Sequence, residues 1–170
     1  MPPSLSLEDR NIAARLRDGD PGAFDVMIRE HGPGMCRFIL SQIHSAELAE
    51  ELVQDIFLNI WERRAEFNPR TSLKSYLFTA ARNKAIDHIR HERVKQEYRE
   101  EVGLRGEHVS TTPDEILAGE ELEEAIRRVV QELPDRCRLI FSLQREEGMS
   151  YAEIARVLGI SQKTVETQMG

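Results

Sequence analysis

Apolar residues recur at three- and four-residue intervals along almost the whole chain, and no stretch alternates apolar with polar as a half-buried strand does. The expected fold class is all-α. The first helix is predicted from about Glu8 to Arg17, stopping at Asp18 and Gly19. Asp20 then serves as N-cap and Pro21 as first-turn residue of a second helix. Its buried stripe is Phe24, Met27, Ile28, Met35, Phe38, Ile39 and Ile43, and Pro33 between Gly32 and Gly34 predicts a kink because proline removes a backbone donor. A third helix is predicted from about Ser45 to Glu66, with Leu48, Leu52, Ile56, Phe57, Ile60 and Trp61 on its apolar face. Glu47, Glu50, Glu51, Gln54, Asp55, Asn59 and Glu62 make the opposite face acidic. After a loop at 68–71, a fourth helix is predicted from about Ser72 to Val94, turning Leu73, Leu77, Ala80, Ala81, Ile86 and Ile89 inward.

The apolar period is lost over residues 95–112, which predicts a flexible linker. Thr112, Pro113 and Glu115 then supply an N-cap, a first-turn proline and an N3 glutamate for a fifth helix reaching about Leu133. A sixth runs from Pro134 to Arg145. The last segment has the sharpest signals. Ser150 and Glu153 form a capping box, Ile154, Ala155 and Leu158 share one face, and Gly159 can take the left-handed conformation that ends a helix. Ile160 plugs the corner and Ser161 caps the next helix, from which Gln162, Lys163, Thr164, Thr167 and Gln168 project while Val165 and Met169 anchor it. Two short helices so hinged are a helix-turn-helix, and the projecting groups suit phosphates and base edges. The expected organisation is two small helical domains, 8–94 and 113–170, joined by a flexible linker at 95–112.

A net charge of -7 is unusual for a DNA binder, but the charge is uneven. Residues 1–95 carry 14 Lys and Arg against 14 Asp and Glu, whereas 96–170 carry 9 against 16. Within 70–95, seven basic residues (Arg70, Lys74, Arg82, Lys84, Arg90, Arg93, Lys95) face only Asp87 and Glu92, a basic stripe on the fourth helix. The acidic remainder weakens nonspecific DNA binding by the free chain, which implies a partner that presents it to DNA. Cys36 and Cys137 lie in helical patterns without Cys or His at metal-ligand spacing, so they are expected as buried thiols, with no disulfide framework and no metal site. No apolar run nears the roughly 20 residues that span a bilayer, and the N-terminus lacks a basic region followed by an apolar one. A cytoplasmic protein is expected.

The order of parts resembles the extracytoplasmic-function group of bacterial sigma factors, the sigma-70-type initiation subunits of RNA polymerase. The resemblance rests on Ala49 to Glu62, on Tyr76 to Arg90, on Leu133-Pro134 and on the helix-turn-helix, and it covers most of residues 10 to 169. It implies that the chain binds core RNA polymerase through the β′ clamp helices and β flap, with Glu51, Gln54, Asp55 and Asn59 docking on the clamp and Leu52, Phe57 and Trp61 belonging to the core. It further implies that the first domain melts the minus-ten promoter element. Arg70, Lys74, Arg82, Lys84, Arg90 and Arg93 would follow the nontemplate backbone. Phe67, Asn68, Thr71, Ser72 and Asn83 would form the pocket that holds an unstacked base, and Tyr76 would also contact minus-ten DNA. Ser161, Gln162, Lys163, Thr164, Thr167 and Gln168 would read the minus-thirty-five element. An anti-sigma factor is a possible partner by the same resemblance. Tyr76 stands where the family often has Trp, Thr79 where a basic residue is frequent, and the chain stops at Gly170 where the family continues with Arg and Lys, so the recognition helix is expected to be cut short.

Two other classes fit less well. A response regulator would share the helix-turn-helix, but its receiver domain needs strands. An enzyme would have to use Asp87, His88 and His91, yet the sequence places no third ligand, phosphate loop or activated nucleophile. No catalytic residue, cofactor or small-molecule substrate is therefore assigned.

Overall fold

The structure is a computed structural model, which describes residues 5–103 and 121–170. Contacts divide the chain into two compact units, Met1–Thr112 and Pro113–Gly170. Among the described residues every regular element is a helix.

Unit 1 opens with α1 (Leu7–Arg17), whose first turn is capped by the Ser6 hydroxyl accepting from the Asp9 N–H at 3.0 Å. In α2 (Pro21–Ile43) the Asp20 carboxylate accepts from the Gly22 N–H at 2.8 Å and from Arg15 Nε at 2.7 Å. Those bonds, the one from Arg15 foremost, hold the Asp20 carboxyl below its ordinary range. The segment predicted to kink stays within one continuous helix. Pro33 points outward while Gly32 and Gly34 are buried, and a Cβ built on Gly32 would stand 3.6 Å from the Phe57 ring. Gly32 thus lies where α3 packs closely on α2, and that packing offsets its low helix propensity. His44, in the left-handed conformation at φ 57°, turns the chain into α3 (Ala46–Glu62).

The third helix is shorter than predicted. It stops at Glu62 and is followed by one 3₁₀ turn at Arg64–Glu66, with the Arg64 guanidinium carbon 4.5 Å above the centre of the Trp61 ring. Trp61 and Leu52 are half-buried and Phe57 is buried, and Trp61 packs on Phe24 at a 5.0 Å ring separation. Leu16, Met27, Met35, Ile39, Leu73, Leu77 and Phe78 form the fully buried centre where α1, α2, α3 and α4 meet.

The largest departure is α4 (Leu73–Val102), which runs eight residues past the predicted end at Val94 and into the expected linker. Its buried positions end at Ala85; Ile86 is only half-buried and Ile89 is exposed, so neither anchors the helix as expected. All of residues 89–102 are exposed. Strong helix formers and an exposed Glu92–Lys95 pair at 3.6 Å sustain these turns, and Gly103 ends them in the left-handed conformation at φ 76°. Residues 104–112 of the expected linker, and the predicted start of the fifth helix, lie outside the described residues.

In unit 2, α5 (Glu121–Glu132), α6 (Asp135–Arg145), α7 (Tyr151–Leu158) and α8 (Gln162–Met169) follow one another with short connections. Both halves of the capping box form: the Glu153 N–H donates to Ser150 Oγ at 3.2 Å and the Ser150 N–H to Glu153 Oε2 at 2.9 Å. Gly159 sits at φ 64° and the Ile160 N–H closes on the Ala155 carbonyl at 2.9 Å, the left-handed helix ending the sequence predicts. Ile140, Leu143, Ile154, Val157 and Val165 are fully buried between α6, α7 and α8, and Ala155 is buried on the apolar side of α7.

Candidate nucleic-acid interface

Glu51, Gln54, Asp55 and Asn59 are all exposed on α3, at the three- and four-residue spacing that places them in one row. Leu58 interrupts that row at 54% exposure. Beside it an apolar groove of about 590 Å³ opens between α2 and α3, walled by Phe24, Ile28, Pro33, Cys36, Val53 and Leu58, with Gln54 at its edge. Sequence reasoning missed the groove, although Leu58 on an otherwise polar face was a signal for it. Cys36 is half-buried, and burial pushes its thiol up, with Glu50 adding to the shift and Arg37 opposing it.

A second, polar pocket of about 250 Å³ lies where α3 ends and the loop before α4 begins. Phe67 forms its buried wall, and Tyr76, 38% exposed, meets Phe67 edge to face with ring centroids 5.2 Å apart. Asn59, Arg63, Glu66 and Asn68 supply the polar wall, with Arg63 Nη2 donating to Glu66 Oε2 at 3.2 Å. Of the residues expected to form the base pocket, the structure brings together Phe67 and Asn68, and Tyr76, expected at minus-ten DNA, joins them. Thr71 and Ser72 are engaged elsewhere: Thr71 Oγ1 donates to the Ser72 carbonyl at 3.4 Å, and Ser72 Oγ caps α4 by accepting from the Ser75 N–H at 3.1 Å. Asn83 is exposed two turns further along α4 and is not part of the pocket wall. Arg63 and Glu66 were not anticipated, because a single long helix was predicted through them.

The basic stripe resolves into more than one face. At roughly 100° per helical residue, Tyr76, Asn83 and Arg90 share the side of α4 opposite its core, and Arg82 and Lys84 stand about 100° to either side. Lys74 is half-buried in the first turn on the core-facing side, and Arg70 is exposed in the preceding loop. Asp87 and His91 are exposed and His88 half-buried, and no three His, Cys, Asp or Glu side chains converge among the described residues.

On α8, Ser161 Oγ accepts from the Thr164 N–H at 3.1 Å and meets Thr164 Oγ1 at 2.7 Å, so both side chains serve the cap. Gln162 Nε2 donates to Glu166 Oε1 at 3.2 Å, and Thr167 Oγ1 to the Lys163 carbonyl at 2.9 Å. Gln168 accepts from the Cys137 thiol of α6, a half-buried group where a buried one was expected. Ser161, Gln162, Lys163, Thr167 and Gln168 are exposed and Thr164 is half-buried.

Residues 27–94 match the family described as sigma-70 region 2, and residues 123–170 match sigma-70, region 4. The chain is 32% identical over 149 residues to RNA polymerase sigma factor CarQ of Myxococcus xanthus, spanning 86% of this chain and 83% of that protein. It is 29% identical over 170 residues to RNA polymerase sigma factor CnrH of Cupriavidus metallidurans, spanning 95% and 88%. The solved structure of CnrH in complex with the cytosolic domain of CnrY superposes with a TM-score of 0.62 at 25% identity, covering 95% of this chain and 90% of that one. A helical protein with these two regions in this order is a transcription initiation factor of the sigma-70 type. The chain belongs to the extracytoplasmic-function group of that family, the RNA polymerase sigma factors. Membership implies promoter-specific initiation with RNA polymerase as a non-catalytic subunit.

Proposed function

We propose that unit 1 docks on core RNA polymerase and opens the minus-ten element, and that unit 2 reads the minus-thirty-five element in the major groove. The exposed row Glu51, Gln54, Asp55 and Asn59 presents acceptors to a basic face of the polymerase clamp, and Leu58 with the adjoining groove adds apolar area. The observation that carries the melting role is the pocket at Phe67 and Tyr76. It joins an exposed aromatic ring to amide, carboxylate and guanidinium groups, the combination that stacks and hydrogen-bonds a base once it leaves the duplex. Asn83 and Arg90 extend the same side of α4 outward and give a displaced strand a polar and cationic track. On unit 2, Gln162, Lys163 and Thr167 form the exposed edge of α8, the second helix of the helix-turn-helix.

An anti-sigma factor is an expected partner on this reading, since one structural neighbour is the sigma factor RpoE in complex with the anti-sigma factor NepR from Bartonella quintana, and CnrH is in complex with the cytosolic domain of CnrY. The working compartment is the cytoplasm, where the polymerase is, and among the described residues no helix is long and apolar enough to cross a membrane.

Reconstitution with core polymerase tests the division of labour. Asn83→Ala with Lys84→Ala should lower permanganate reactivity of the minus-ten thymines while leaving core binding nearly unchanged. Asp55→Lys should do the reverse, weakening core binding first. Unaltered opening by the first pair rules out strand capture by the outward side of α4.

A further inference from the structure

Two hydrogen bonds tie α1 to the ends of the loop that borders the polar pocket. Arg17 Nη1 donates to the Phe67 carbonyl at 2.9 Å, across 50 residues of sequence. Asp9 Oδ2 accepts from the Leu73 N–H at 3.1 Å, across 64. Phe67 is the last residue before the loop, and Leu73 is the first residue of α4 after it. Asp9 and Arg17 lie eight residues apart on one helix, so a single rigid element spans both ends of the loop, a separation of about 12 Å along the helix.

The two contacts differ in chemistry and agree in effect. The Leu73 N–H is one of the donors that a helix start leaves without an intrahelical partner, and Ser72 Oγ is already committed to the Ser75 N–H. The Asp9 carboxylate satisfies it and places negative charge at the positive end of α4. At the other end a guanidinium holds a carbonyl, a charge-assisted bond that sets the direction of the peptide next to the Phe67 ring. Both bonds are part-buried, which shields them from exchange with water. None of the polar side chains lining the pocket makes either bond.

We infer that α1 is a brace for base capture, with Asp9 and Arg17 as positioning residues that preset the loop between Phe67 and Leu73 before DNA arrives. The inference rests on the pocket being the minus-ten base site. An orienting contact acts through preorganisation, so its loss removes discrimination at the held base as well as affinity.

The test uses the full chain assembled with core polymerase. Its probe is a single-stranded DNA oligonucleotide selected from a random pool by the wild-type holoenzyme, together with versions carrying each alternative base at every position. Asp9→Ala and Arg17→Ala should each weaken oligonucleotide binding about tenfold and flatten the preference at one base position, while core binding stays as in the wild type. Asp9→Asn keeps an acceptor and Arg17→Lys a donor, and both should recover most of the lost discrimination. Arg15→Ala breaks a bond on the same helix that does not reach the loop, and should leave discrimination intact. Asn68→Ala, in the pocket itself, separates the two readings. If it abolishes the preference while Asp9→Ala and Arg17→Ala retain it, the brace is wrong and the pocket stands. If Asn68→Ala changes nothing either, the pocket reading fails and takes the brace with it. A fall in core binding that parallels the fall in DNA binding, or an equal effect of Arg15→Ala, also overturns the inference by showing general damage to unit 1.

Discussion

Tyr76 stands edge-on to Phe67, perpendicular at 90° with ring centroids 5.2 Å apart, so a buried ring fixes the attitude of an exposed one. The exposed ring is thereby held ready to stack. Replacing Tyr76 by Ala should remove about 1 to 3 kcal/mol of single-strand affinity, whereas Tyr76→Phe should retain most of it. Oligonucleotide titration of the holoenzyme measures both. Equal affinities for the wild type and the alanine variant would exclude a stacking role for this ring.

Ser75 is fully buried in α4, and among the described residues its hydroxyl has no hydrogen-bond partner. Ser75→Ala removes the orphaned group, preserves nearly the same shape and improves helix propensity. The expected result is stabilisation of unit 1 by about 1 kcal/mol, read from urea denaturation of the full chain. A lower midpoint would mean that the hydroxyl has a partner in solution.

Cys36 lines the apolar groove beside the proposed docking row of α3, with its thiol held above the ordinary range chiefly by burial. A raised value keeps the thiol protonated at neutral pH, so alkylation in a Cys137→Ser background should be slower than that of a free thiol and should accelerate only as pH climbs into the alkaline range. Because the folded state holds this proton more tightly, the associated stability is complete below the unfolded value and is lost as pH rises through the folded one. Core polymerase should protect the thiol further. Labelling as fast in the holoenzyme as in the free chain would place the docking surface away from this groove.

Lys163 is the cation on the exposed side of α8, and its proposed contact is a phosphate. Lys163→Ala should weaken binding to all duplex sequences alike and reduce the salt dependence by about one unit of slope. A change confined to one promoter sequence would instead assign Lys163 to a base edge.

The features legible from the chain alone are those written within a few residues. Ser150 with Glu153, Gly159 and Ser161 mark helix ends through bonds that reach only three or four positions, and each forms where the sequence predicts it. Pro33 shows the reverse. Its local signal does not break α2, which runs on through Pro33, and Gly32 beside it packs against Phe57, a residue 25 positions later. The turns of α4 beyond Val94 escaped because only Tyr98 and Val102 continue an apolar spacing there, both of them exposed, and propensity and surface charge hold the rest. For the pocket, Phe67, Asn68 and Tyr76 followed from the family likeness, but Arg63 and Glu66 enter it only because α3 stops at Glu62. The bonds from Asp9 and Arg17 depend wholly on how α1 folds back, and no spacing rule encodes them.

The side chains of α8 also bear on selectivity. Ser161 and Thr164 hold each other, Gln162 holds Glu166, and Gln168 accepts from Cys137 before any promoter is present. On the proposed reading, docking on a duplex is an exchange reaction, in which base edges must replace partners of comparable quality within the same turn of helix. A near-miss site that offers little beyond negative charge leaves those internal pairs undisturbed and is held loosely enough to be released. If α8 reads promoter DNA as proposed, its self-satisfied surface sets a threshold against the many wrong addresses of a genome.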